Sequence, residues 1–320
     1  MRTIKDIIQP ITVPTPYAVG DVHAYLLRSD TVTLIDAGVK TTAAWEAMKS
    51  QLKEYNTGPE DVEQIVLTHH HPDHTGLLER FPNAKLLGHE KVKPWIEKDE
   101  VFIQKYENFF KELYKEAGVP EQYMAALEES KKTLKYIGDG ILSARLEEGD
   151  LIPSHEEWEV IETPGHAQSH ISLFREADGS LIAGDHLLFH ISSNPLLEPP
   201  YLDENRRPLP QVQYRESLKK LLNYEVGDIY PGHGKTFKEA HQLIRRRLNK
   251  QEERAKQVRN MLIEKPLTAF EVCKKLFPKH MESQFGLTIS ETMGQLDYLD
   301  FTSQVQYQFD SGQKFYYVNR

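Results

Sequence analysis

An apolar run, Gln64 to Thr68, leads without a spacer into His69-His70-His71-Pro72-Asp73-His74-Thr75-Gly76. A buried strand is a rigid platform, and the residues just beyond strand ends are where an α/β sheet collects its functional groups. Neutral imidazoles and carboxylates are the ligands that borderline divalent metals accept. A catalytic ion keeps one position open, so a single ion cannot use His69, His71, Asp73 and His74 together, whereas two adjacent ions can share them. The arrangement recurs. Thr163-Pro164-Gly165-His166 follows the run Trp158 to Glu162, Gly184-Asp185-His186 follows Leu181 to Ala183, and Pro231-Gly232-His233-Gly234 follows Asp228 to Tyr230. The neighbouring glycines permit sharp turns and close backbone approach. Incidental histidines in polar turns would not repeat this pattern at four strand ends.

The rest of the chain supplies a frame for these segments. Its 320 residues suit one large domain and a small one, and 39% hydrophobic residues suffice for a core. Strand-like runs at Val22–Arg28, Thr31–Ile35, Gln64–Thr68 and Lys85–Gly88 alternate with a helical pattern at Thr41–Tyr55, the order of an α/β domain. Residues of about 90–140 form a helical insertion, with Phe102, Tyr106, Phe109 and Leu113 at helical spacing. Gly118-Val119-Pro120 breaks it and a second helix is expected from Glu121 to Tyr136. A long charged helix is expected from Phe237 to about Glu264. Beyond it, Thr268 and Glu271 form a capping-box signal. A helix from Thr288 to Leu299 follows, then a hairpin around Asp310-Ser311-Gly312-Gln313. Helices followed by a hairpin are the pattern of a winged helix, which divides the chain into residues 1–264 and 265–320.

The ordered set His69-His70-His71-Pro72-Asp73-His74, His166, Asp185 and His233 resembles the metallo-β-lactamase superfamily over roughly residues 15 to 250. The resemblance implies a four-layer αββα sandwich with a two-metal site at one edge. It implies that His69, His71 and His166 hold one ion, that Asp73, His74 and His233 hold the other, and that Asp185 bridges them. Asp73 and Asp185 would be the catalytic carboxylates, and Asp36 would orient a ligand imidazole. The ions would be two Zn2+, with Mn2+ or Fe2+ as alternatives, activating a shared water for hydrolysis. Cys273 lies too far along the chain to be the cysteine ligand common in the lactamases proper. His71 stands where the redox di-iron branch has glutamate, which favours hydrolysis. His170, near a strand start, reads first as a hydrogen-bond partner, and His186 and His190 pack in a loop or line the pocket; all three are candidates for the substrate pocket. The C-terminal segment resembles the winged-helix tail of the branch that includes β-lactamase-like protein 2 and a mitochondrial endoribonuclease; glyoxalase II shares the ligand set but has a helical tail.

Charge narrows the partners. Lys and Arg number 39 against 48 Asp and Glu, a net charge of −9. That disfavours a broad basic face for nucleic acid or anionic lipid but leaves room for a local basic groove. The expected second helix of the tail carries Glu291 and Asp297 and no Lys or Arg, so duplex DNA is disfavoured and a packing or homo-oligomer role is preferred. Arg245-Arg246-Arg247 reads as a solvated helix face. No run of about eighteen apolar residues suggests a membrane span. The N-terminal stretch lacks the features of a signal peptide. A single cysteine excludes an internal disulfide and fits a cytoplasmic setting. The leading expectation is a binuclear zinc hydrolase acting on an ester, thioester or related bond of a small molecule. The alternatives are an endoribonuclease or phosphodiesterase and, from another class, a winged-helix regulator with a metal-binding sensor domain.

Overall fold

In the computed structural model, which describes residues 8–124, 132–201 and 204–318, two sheets stack face to face. The first contains β1 (Gln9–Val13), β2 (Val22–Arg28), β3 (Val32–Ile35), β4 (Gln64–Leu67), β5 (Lys85–Gly88) and β6 (Leu142–Arg145), in that spatial order. Its strands pair antiparallel from β1 to β3 and parallel from β3 to β6. The second contains β7 (Leu151–Ile152), β8 (His155–Glu162), β9 (Ile171–Arg175), β10 (Ser180–Gly184) and β11 (Ile229–Pro231). It is antiparallel from β7 to β10, with β11 added parallel to β10.

Strand alternation builds the layers. Tyr25 and Leu27 of β2 enter the core between the sheets with Trp158, Val160, Leu173 and Ile182. Leu26, between them, faces outward with Leu34 and Ile65 toward Ala44, Met48 and Leu52 of helix α1 (Thr42–Glu54). Thr41 caps α1 by accepting from Ala44 N at 3.1 Å. On the other side, Ile161, Phe174 and Leu181 pack with Tyr214 and Leu218 of a later helix and Leu243 and Ile244 of another. The result is the four-layer αββα architecture. Short helices α2 (Pro72–Thr75) and α3 (Lys93–Ile96) precede α4 (Glu100–Glu116); α5 (Pro210–Leu221) and α6 (Ala240–Met261) cover the second sheet. Three strands of these two sheets escape the sequence reading. β1 carries Pro10 and β6 is mostly exposed, each at a sheet edge, and β7 has two residues.

The insertion and the tail share a core. Asp99 caps α4 by accepting from Phe102 N at 3.0 Å. Phe102 points into the sheet-side core, but Phe110, Leu113 and Tyr114 join Ala255 and Val258 of α6 and Val272, Ile289, Leu296 and Tyr316 from the C-terminal segment. The helix expected from Glu121 to Tyr136 falls largely on residues 125–131, outside the described residues; 3-10 turns at Glu121–Tyr123 and Leu134–Tyr136 flank them. In the tail, the Thr268 and Glu271 capping box opens α7 (Ala269–Leu276). Helix α8 (Phe285–Phe301) and a sheet of β12 (Leu267–Thr268), β14 (Gln313–Tyr317) and β13 (Gln306–Asp310) follow. Every residue from Thr288 to Leu299 is buried or half-buried, because α8 lies against α5, α6 and α7. Its acids, which in the sequence argue against a DNA-reading face, pair within the chain. Asp297 accepts from Arg207 at 2.7 and 2.5 Å, and Glu291 lies 3.5 Å from Arg254. Among the described residues, no helix is long and apolar enough to cross a membrane.

Candidate metal centre

The site forms where β3, β4, β8, β10 and β11 end. Asp36, just past β3, has φ +64°, a left-handed conformation that few residues other than glycine adopt. Its carboxylate accepts from Thr68 N at 2.8 Å and Thr68 Oγ1 at 2.7 Å, and it receives His74 Nδ1 at 2.8 Å. That bond turns His74 Nε2 toward the cluster. Pro72, at the first position of α2, starts the single helical turn that presents Asp73 and His74.

The seven residues assigned to two ions by resemblance converge. His69, His71 and His166 bring ligand-type atoms within 4.8 Å of one another, as do His69, His74 and Asp185, and Asp73, His74 and His233. His71 Nδ1 and His166 Nε2 are 3.0 Å apart. Asp185 is central, 3.5 Å from His74 Nε2, 3.5 Å from His166 Nε2 and 3.4 Å from His233 Nε2. Three buried atoms at this point, His69 Nε2, His74 Nε2 and Asp185 Oδ1, have no hydrogen bond. Orphaned buried polar atoms cost about 1–3 kcal/mol each, which a coordinated cation would offset. Gly232 leaves the space open, since a Cβ there would stand 2.2 Å from Asp185 Oδ1 and 2.8 Å from His74 Cε1. An all-nitrogen-and-oxygen donor set of this kind fits divalent cations. Cys273 is buried in the tail core and contributes nothing here.

The family model of the metallo-β-lactamase superfamily matches residues 17–233. The chain belongs to the metallo-β-lactamase superfamily. A probable metallo-hydrolase, YqjP of Bacillus subtilis (strain 168), is 43% identical over 299 residues, covering 93% of each chain. A β-lactamase-like protein 2 homolog of Caenorhabditis elegans is 24% identical over 247 residues, covering 75% of this chain and 66% of that protein. A metallo-β-lactamase family protein from Thermus thermophilus superposes with a TM-score of 0.80 at 28% identity, covering 97% of this chain and 98% of the other. A β-lactamase domain protein from Burkholderia ambifaria gives a TM-score of 0.78 at 22% identity, covering 97% and 92%, and shares the fold. The chain is thus a metal-dependent hydrolase by family, with a His/Asp cluster suited to divalent metals.

A ring of partners aims the imidazoles of the cluster. Thr68 Oγ1 donates to Asp36 and therefore accepts from His69 Nδ1, at 3.0 Å. His166 Nδ1 lies 2.9 Å from Ser193 Oγ and 3.0 Å from Asn194 O, and His233 Nδ1 donates to Asp21 O at 2.8 Å. Two residues that sequence reasoning missed hold the His233 loop from β2. His23 donates from Nε2 to Gly234 O at 2.6 Å, and Tyr25 donates to Pro231 O at 2.6 Å. Their partners lie 211 and 206 residues away, and no local signal marks them.

Two of the three pocket candidates lie elsewhere. His170 accepts from Asp185 N at 3.0 Å and its Nδ1 donates to Thr163 Oγ1 at 2.8 Å, so both nitrogens are engaged behind Asp185, facing no pocket. His186 is fully buried against the Tyr214 ring at 5.0 Å. His190 is exposed and shares a shallow depression with Asp21, His23 and Gly234. His70 stacks flat on Trp95 at 4.1 Å, away from the cluster. Arg247, read as part of a solvated face, is buried and donates to the carbonyls of Leu188, Phe189 and Ile191.

Burial holds the imidazoles of His69, His71 and His166 below their ordinary range, so they are neutral and ready to ligate. His74 and His233 go the other way. Burial pulls both down, but Asp185, with Asp36 for His74 and Asp73 for both, outweighs it; without metal, His233 is pushed up to about 10 and His74 well above its usual value. Below the raised value each ring carries a proton that a cation must displace. Metal affinity is therefore expected to rise with pH through the neutral range, about tenfold per unit for each displaced proton. Calorimetry of metal uptake in buffers of different ionisation enthalpy should show proton release at pH 7. Uptake with no proton release would mean that His74 and His233 do not ligate.

Proposed function

We propose that this hydrolase binds two divalent cations, zinc foremost, and cleaves an ester, thioester or related bond in a small molecule. The observation that carries the reading is the set of overlapping ligand triads with Asp185 within reach of three imidazoles. In this reading His69, His71 and His166 hold one cation, Asp73, His74 and His233 the other, and Asp185 spans both. Bound divalent cations would supply an activated water and Lewis-acid polarisation of the bond under attack. The chain's residues do the rest. Asp36, Thr68 and the carbonyls of Asn194 and Asp21 fix the imidazole tautomers so that lone pairs point inward. Asp73, buried and 3.3 Å from His233 Nε2, is the second carboxylate of the cluster and would take a proton there in this reading. Residues 265–320 act as a winged-helix-like domain whose second helix serves packing.

The test is metal analysis of protein purified without chelators, followed by a hydrolysis panel of thioesters, lactones, phosphodiesters and short RNA with zinc or manganese. About two metals per chain and turnover on carbonyl substrates are expected. One metal or fewer, or turnover confined to RNA, would overturn the reading.

A further inference from the structure

A cleft of about 460 Å3 lies between the loop Ser192 to Pro195, helix α6 and the tail helix α8. It stands behind the metal centre, since Ser193 and Asn194 in its wall hold Nδ1 of His166. Four glutamines line it, and three of them, one each from α5, α6 and α8, are buried. Gln211, Gln251 and Gln295 are only 1%, 9% and 2% exposed. Each keeps an amide atom without a hydrogen bond, Nε2 in Gln211 and Oε1 in the other two, and Asn194 Oδ1 is a fourth. Leucine or methionine would fill the same volume without leaving a dipole unpaired, so glutamine at three converging positions is poor core chemistry and good ligand chemistry.

Charge points to the ligand's sign. Lys250 and Arg254 line the same cleft one helical turn apart, and Glu291, 3.5 Å from Arg254, is the one carboxylate in the lining. A chain of net charge −9 has gathered cations here. The volume lies within the usual range for small-molecule sites. We infer that this cleft binds a small oxyanion, a phosphate monoester or a carboxylate, that carries hydroxyl or amide groups beside its charge. Lys250 and Arg254 meet the anion, and the glutamine amides meet the neighbouring polar groups. The site is separate from the metals and does not rest on the proposed reaction.

The experiment is calorimetry on the metal-loaded full chain with glycerol 3-phosphate, glycerate and glycerol. One saturable site per chain is expected for one or both anions, and none for glycerol; which anion binds identifies the class. Lys250 is exposed, so Lys250→Gln keeps the fold, and Gln295→Met keeps the volume while removing the amide. Each should weaken binding by roughly tenfold, the scale of one lost charged or buried hydrogen bond. Asp185→Asn should leave the binding in place. Binding lost in Asp185→Asn but intact in the other two variants would put the anion on the metals and overturn the inference. So would the absence of saturable binding, which would mean that the cleft holds water alone.

Discussion

Asp185→Asn is expected to lower both metal content and turnover, the latter by more than about a hundredfold. The carboxylate lies within 3.5 Å of His74, His166 and His233, and the residue is 6% exposed. Asparagine has the same shape, and the backbone bond from Asp185 N to His170 Nε2 survives the change. What disappears is one negative charge among imidazoles on both sides of the centre. Loss of a partner that merely orients a metal ligand commonly costs about 10–100-fold. A carboxylate that itself faces the ions should cost more. The measurements are metal per chain by mass spectrometry, kcat, and the circular dichroism spectrum. A variant that keeps two metals and full turnover would sink the assignment of Asp185.

The metal centre is more legible in the sequence than its supports, for a physical reason. Ligand chemistry needs particular residue types at strand ends, and strand ends are readable from apolar runs and glycines. His69, His71, Asp73 and His74 are local, and His166, Asp185 and His233 each carry the same short signature. The supports use generic groups over long separations. Tyr25 reaches a carbonyl 206 residues away, and nothing near Tyr25 announces it. His170 reads first as a hydrogen-bond partner and only second as a pocket residue; its two engaged nitrogens show the former, but that it holds Asp185 from behind is not visible in the sequence. The tail's acids are half legible. Glu291 and Asp297 argue against a DNA-reading helix, but their partners Arg254 and Arg207 are distant in sequence and nothing near the acids names them. The apolar spacing of α4 is visible, but its division between two cores is not, since spacing defines a buried face without naming its partner.

Removing residues 265–320 should therefore do more than trim an appendage. The deletion would strip the covering from Phe110, Leu113, Tyr114 and Val258, all buried in the core shared with the tail. Exposing four such side chains at about 1.5–3 kcal/mol each costs roughly 6–12 kcal/mol. That is comparable with the whole stability of an ordinary domain, about 5–15 kcal/mol. The loss would also reach the metal centre. Helix α8 anchors the loop that orients His166, because Ser290 Oγ accepts from Leu197 N at 2.9 Å and donates to Pro195 O at 3.1 Å. Asn194 Nδ2 donates to Leu287 O at 3.2 Å in the same seam. Released from α8, Ser193 and Asn194 would no longer hold His166 Nδ1 in one place. The expected outcome is a chain of residues 1–264 that is largely insoluble or, where soluble, unfolds at lower temperature and retains less metal. Soluble yield, a thermal melt and metal per chain test it. A truncated chain that melts with the full-length protein and keeps its metals would show that the shared core is dispensable.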